Sequence, residues 1–178
     1  MRKTTAAGLF PAAILLAAAA GAAETVAAAV SHERFGWFAS LAGSCWRGTY
    51  PGGGGDIQCY EWQYGRYLRG TIEIDTKGKE GAEVKLAGDS VYDWDGKAGR
   101  IRYSNWADAG SLQHGEAYYE GELLRFPVVK SADEEPRARS TWRRIDADTF
   151  EVTRERLEGG AWTAELSVTY RRSARGPD

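Results

Sequence analysis

From residue 43 to residue 172 apolar and polar side chains alternate with a period of two, and glycine-rich or acidic clusters interrupt the alternation repeatedly. The stretch WTAELSVTYR shows it best: Trp162, Ala164, Leu166, Val168 and Tyr170 fall on one side, and Thr163, Glu165, Ser167, Thr169 and Arg171 on the other. Such alternation predicts a strand with one buried face. TFEVTRE places Phe150 and Val152 together, and RSTWRRI sets Thr141, Arg143 and Ile145 opposite Trp142. The intervening turns, Asp146-Ala147-Asp148 and Glu158-Gly159-Gly160, are short. Further hairpin signals are Asp95-Gly96 and Lys77-Gly78-Lys79-Glu80-Gly81. About ten short strands result, spaced roughly 8–14 residues apart, which predicts an all-β barrel or sandwich. Residues 129–137, VKSADEEPR, lack periodicity and form a solvated loop.

Only SHERFGWFASLAG carries a helical pattern. Phe35, Phe38 and Leu41 would share one apolar stripe, with Ser31 as candidate N-cap and Gly36 as a weakness.

The two cysteines bracket TYPGGGG, and their spacing has a geometric reading. A hairpin folded about Gly52 brings Cys45 directly opposite Cys59 and leaves a three-residue loop, Pro51-Gly52-Gly53. Glycine supplies the left-handed residue and bulge that such a loop needs. In an oxidising compartment the pair should form a disulfide that constrains the unfolded chain by about 3 kcal/mol. The alternatives are two reduced buried thiols or a redox pair, although redox pairs usually have C-x-x-C spacing.

Residues 1–23 follow the plan of a secretory signal peptide: Arg2 and Lys3, an apolar run from Leu9 to Ala20, then small residues around Ala22 and Ala23. The run is short for a membrane anchor, which needs about 20 apolar residues. The expected organisation is therefore a signal peptide (1–23), an N-terminal segment with a short helix (24–42), a β-barrel domain (43–172) and a disordered tail (173–178). The expected location is periplasmic or secreted, with no stable membrane span after processing. The Cys45 context departs by one residue from a lipoprotein signal, so lipidation is not expected. Removal of the leader leaves 21 cationic against 25 anionic side chains, a formal charge of −4. So acidic a chain without a basic stripe is not expected to bind nucleic acid.

Gly43-Ser44-Cys45-Trp46 after a short helical segment, successive hairpins, and Tyr170-Arg171-Arg172 in the final strand together resemble the calycins, the superfamily of lipocalins and related up-and-down barrels, and in particular exported bacterial members of unassigned function. The resemblance spans residues 34–172, with one more residue than the family's Gly-x-Trp. It implies a single antiparallel up-and-down β-barrel of about 8–10 strands, closed at one end by an arginine stacked on a first-strand tryptophan. Trp46 and Arg172 would be that pair. Trp46-Arg47-Gly48-Thr49-Tyr50-Pro51 also resembles nitrobindin-type haem barrels, but those bind iron through a late histidine and no histidine follows His114. No cofactor is therefore expected.

Candidate chemistry is sparse. Asp93, Asp95 and Gly96 begin like a calcium loop but lack its remaining ligands, so no metal is expected. No nucleophile elbow, zinc motif or phosphate loop occurs. Tyr92, Trp94, Tyr103, Trp106, Tyr118 and Tyr119 concentrate aromatic surface in the middle strands, and His114 is the sole histidine of the β region. Tyr92, Trp94, Tyr103, Trp106, His114 and Tyr118 are the candidate ligand-binding residues. The expected function is non-catalytic binding of a small hydrophobic or amphipathic molecule. An enzyme using His114 in an interior pocket and a solid-core interaction module are the alternatives.

Overall fold

The structure is a computed structural model, and it describes residues 32–77, 83–108, 110–128 and 135–174. The expected signal peptide, the 24–31 segment with Ser31, most of the 77–81 turn, most of the 129–137 loop and the end of the C-terminal tail lie outside the described residues.

Ten strands follow one another: β1 (Ser44–Thr49), β2 (Gly55–Gln63), β3 (Tyr67–Lys77), β4 (Glu83–Asp95), β5 (Arg100–Ala107), β6 (Leu112–Glu120), β7 (Leu123–Val128), β8 (Ala138–Arg144), β9 (Thr149–Glu158) and β10 (Ala161–Ser173). Each pairs antiparallel with its sequence neighbour, and β1 pairs with β10, so the sheet closes into an up-and-down barrel without a free edge. The β1–β2 hairpin has the register read from the sequence. Cys45 opposes Cys59, the Tyr50 N–H donates the last hydrogen bond to the Gly54 carbonyl, and residues 51–53 form the loop with Gly53 at φ +89°.

Register carries the inner face round the barrel. Trp46 and Gly48, Gln58 and Tyr60, Leu68 and Gly70, Tyr92, Ile101 and Tyr103, Ala117, Leu124 and Phe126, Trp142, Phe150, and Val168 and Tyr170 all belong to it. Alternation fails at one place in β10. The register shifts between Ala164 and Leu166, so Glu165 forms an irregularity and the two sides exchange. Leu166, Val168 and Tyr170 stay on the inner side, but Trp162 does not share it as the sequence pattern suggested. Its ring instead receives the Arg139 guanidinium at 4.0 Å.

The N-terminal helical stretch is two short pieces. One turn at residues 32–34 and a 3-10 helix, Gly36–Leu41, are separated where Gly36 adopts φ +55°. Phe35, Phe38 and Leu41 are spaced by three, which is the period of a 3-10 helix, and all three are buried. This segment plugs one end of the barrel. Phe38 lies against Tyr60, Tyr92, Phe126 and Trp142 at ring separations of 5.7, 5.0, 6.2 and 5.7 Å. Four hydrogen bonds fix it: Tyr119 Oη donates to the Phe35 carbonyl (2.7 Å) and accepts from the Phe38 N–H (3.2 Å), and Trp37 Nε1 donates to the Glu122 carbonyl (2.9 Å) and Trp46 Nε1 to the Leu41 carbonyl (3.1 Å).

Inner-face tyrosines lie across glycines on the adjoining strand. Tyr170 faces Gly48, Tyr60 faces Gly70 and Tyr103 faces Gly115 as direct cross-strand partners. A Cβ at each glycine would run into the opposing ring. Small and large residues thus alternate across strands and let broad rings lie flat inside a narrow barrel.

Candidate functional site

The plug fills the barrel end where β1 begins, and the other end keeps space. A cup of about 300 Å³ lies there, bordered by Gln58, Tyr60, Ile72, Tyr92, Asn105 and Trp142 among others. Its floor is formed by rings that also touch the plug, since Tyr60, Tyr92 and Trp142 all contact Phe38. No lysine, arginine or histidine is among the described residues that line it. Among the described residues further concavities lie beside the disulfide and where Trp37 meets the β8–β9 turn.

Beside the cup, on the same side of β2, Asp56 is 4% exposed. Three donors converge on its Oδ2: Tyr170 Oη at 2.8 Å, Tyr50 Oη at 3.1 Å and Gln58 Nε2 at 3.1 Å. The Gln58 amide oxygen accepts from Tyr60 Oη at 2.6 Å, which extends the chain of hydrogen bonds to the cup lining. Among the described residues, Oδ1 of Asp56 is buried with no hydrogen-bond partner, and so is Oδ1 of Asn105 in the cup wall.

Electrostatics follow from this burial. Desolvation pushes the Asp56 carboxyl above its ordinary range, against hydrogen bonds from Gln58, Tyr170 and Tyr50 that favour the charged form. Burial first, and then the neighbouring Asp56 charge, raise both Tyr50 and Tyr170, so both hydroxyls remain donors. Burial likewise pushes Tyr92 up to about 12. Among the described residues Asp56 has no ion-pair partner.

The candidate ligand residues separate by side of the sheet. Tyr92 lines the cup. Tyr103 faces inward, packed between Tyr92 and Phe126 at 6.3 and 5.6 Å. Trp94 packs against the core from the plugged half. Trp106 borders the cup mouth and is 42% exposed. His114 and Tyr118 do not face the interior. Ile101↔Ala117 and Tyr103↔Gly115 set the odd positions of β6 inward, which sends 114 and 118 outside. There His114 Nδ1 sits 2.9 Å from Ser104 Oγ, and Arg100 lies 5.3 Å over the Tyr118 ring. An interior pocket built around His114 is therefore corrected: the imidazole is exposed on the outer wall.

Cys45 and Cys59 form a disulfide with Cα atoms 4.0 Å apart. At the plugged end the Arg172 guanidinium lies 4.6 Å over the Trp46 ring, and Arg172 Nε also bonds Asp148 Oδ1 at 2.7 Å. Asp56, Gln58 and Asn105 were missed in the sequence. One signal was available: with Cys45 and Cys59 paired on one side of the hairpin, Asp56, Gln58 and Tyr60 share the opposite side with Trp46.

Among the described residues no group of three or more His, Cys, Asp or Glu is placed to hold a metal ion, and no helix is long and apolar enough to cross a membrane. No protein-family model matches the chain and no curated protein matches it, so its place among known proteins rests on the closed ten-strand antiparallel barrel itself.

Proposed function

We propose that this chain is an exported barrel that binds one small amphipathic molecule, without catalysis, in the interior cup. The observation that carries this reading is the cup itself, about 300 Å³ of open interior above a plug that fills the opposite end. A volume of this size suits a small guest, and a wall mixing Tyr60, Tyr92 and Trp142 with Gln58, Asn105 and Gln113 suits a molecule with an apolar body and a polar end. An unfilled cup weighs against a solid-core interaction module. The outward position of His114 removes the residue on which an enzymatic reading depended. The disulfide and the leader-like residues 1–23 support folding in the periplasm or outside the cell.

The test is native mass spectrometry of protein expressed with its leader and recovered from the periplasm, compared with Ile72→Trp, which places an indole in the cup. A small molecule carried by the parent protein and lost from the folded variant is the expected result. Equal recovery from both, or from neither, would overturn the reading.

A further inference from the structure

Asp56 is the feature of the interior that the fold alone does not explain. Burying a carboxylate is costly unless a cation or a full set of hydrogen bonds replaces its water. Among the described residues only neutral groups approach it. Tyr50, Gln58 and Tyr170 all donate to Oδ2, and Oδ1 is left without a partner. Asn105 presents a second unpartnered buried oxygen from the cup wall. Both atoms are acceptors, so each would take a bond from a donor. The cup adds the faces of Tyr60, Tyr92 and Trp142, which attract a cation through their ring quadrupoles, and its described lining holds no cationic side chain to repel one.

We infer that the guest of the cup carries an ammonium group, or a comparable organic cation, on an apolar body and sets that group against Asp56. This rests on the reading of the cup as a guest site and names the chemistry of its guest. The route to the carboxylate runs through Gln58, which lines the cup and already gives its amide N–H to Asp56. A guest ammonium takes the place of that amide at Oδ2, brings the positive charge the amide lacks, and has further N–H donors for the unpartnered Oδ1. Asp56 lies behind Gln58 and does not itself line the cup, so the exchange requires the Gln58 side chain to turn aside.

Three compounds of matched shape test the assignment: 2-phenylethylamine, 2-phenylethanol and phenylacetate, titrated into the oxidised protein by calorimetry at neutral pH. The amine should bind about tenfold more tightly than the alcohol, the ratio expected of one charge-assisted hydrogen bond, and the anion should bind least. Asp56→Asn should remove the preference, weakening the amine about tenfold while leaving the alcohol within about threefold. Alcohol or anion binding as tight as the amine, a preference that survives Asp56→Asn, or no binding by any of the three would overturn the ammonium assignment. Should Asp56→Asn fail to fold, the order of the three compounds on the parent protein decides the matter alone. Ile72→Trp separates the two levels: if it blocks compounds that bind without preference, the cup stands and the cation falls, whereas binding that ignores it places the guest elsewhere.

Discussion

The Tyr170 hydroxyl, on the last strand, donates to Asp56 Oδ2 on the second strand at 2.8 Å, joining side chains 114 residues apart in sequence. That bond crosses β1 and helps to hold the seam where the barrel closes. Loss of a hydrogen bond to a charged group costs about 1.5–3 kcal/mol. Tyr170→Phe should therefore lower the unfolding free energy at neutral pH by about that amount in urea titration. In an Asp56→Asn background the same substitution should cost less, because the charged acceptor is gone.

Asp56 also gives the protein a pH signature. Its folded-state pKa is raised, chiefly by burial. A carboxyl of that kind contributes most stability below the ordinary carboxylate range, and the contribution is lost as pH rises from the unfolded value towards the raised one. Asp56→Asn should remove this loss. The difference in Tm between variant and parent should thus become more positive from acid to neutral pH, with each kcal/mol regained worth about 2–4 °C in a domain of this size. A difference that is flat with pH, or that falls, would contradict a raised pKa. Tyr50 and Tyr170 stay protonated across this window and do not confuse the comparison.

The glycine opposite Tyr170 makes a separate prediction. A Cβ at Gly48 would lie 2.7 Å from the Tyr170 ring and 2.8 Å from Val168 Cγ1. Gly48→Ala should cost about 1–3 kcal/mol by overpacking. Gly52→Ala is the control: nothing lies within 4 Å of its Cβ position, so the change should stay within about 0.5 kcal/mol. Denaturant midpoints of the two variants check the pair.

How far the sequence could be read depended on which signals were local. The hairpin register was legible because the cysteines and glycines lie within one turn of chain, and the 3-10 plug was half legible because Phe35, Phe38 and Leu41 fit a period of three as well as one near four. Inner and outer sides were not legible in β5 and β6. Tyr103 and Trp106 lie on opposite sides, as do Tyr118 and Tyr119, so aromatic content alone could not say which parity faces inward. The answer comes from pairing with Ala117 and Leu124, a tertiary fact. In β10 one extra residue at Glu165 reverses the sides without breaking the visible alternation. Asp56 was obscured by its neighbours, because an acid after four glycines reads as a turn residue until its parity with Gln58 and Tyr60 is noticed.

The bridge and the stacked arginine hold β1 in different states of the chain, and this can be measured. Cys45 pairs with Cys59 on one side and opposes Ser173 on the other, while its neighbour Trp46 lies under Arg172. Reduction, or Cys45→Ala with Cys59→Ala, should lower stability by about 3 kcal/mol, because the bridge restricts the unfolded chain over a separation of 14 residues. Arg172→Ala acts on the folded barrel instead. It removes the guanidinium over Trp46, the ion pair with Asp148 and the bond to the Ala147 carbonyl. Effects on two different states should add, even at adjacent positions. Urea titration of the single and combined variants should therefore give a coupling below about 0.5 kcal/mol. A larger coupling would mean that the disulfide also holds β1 in place within the folded barrel, and that closure at the plugged end depends on both.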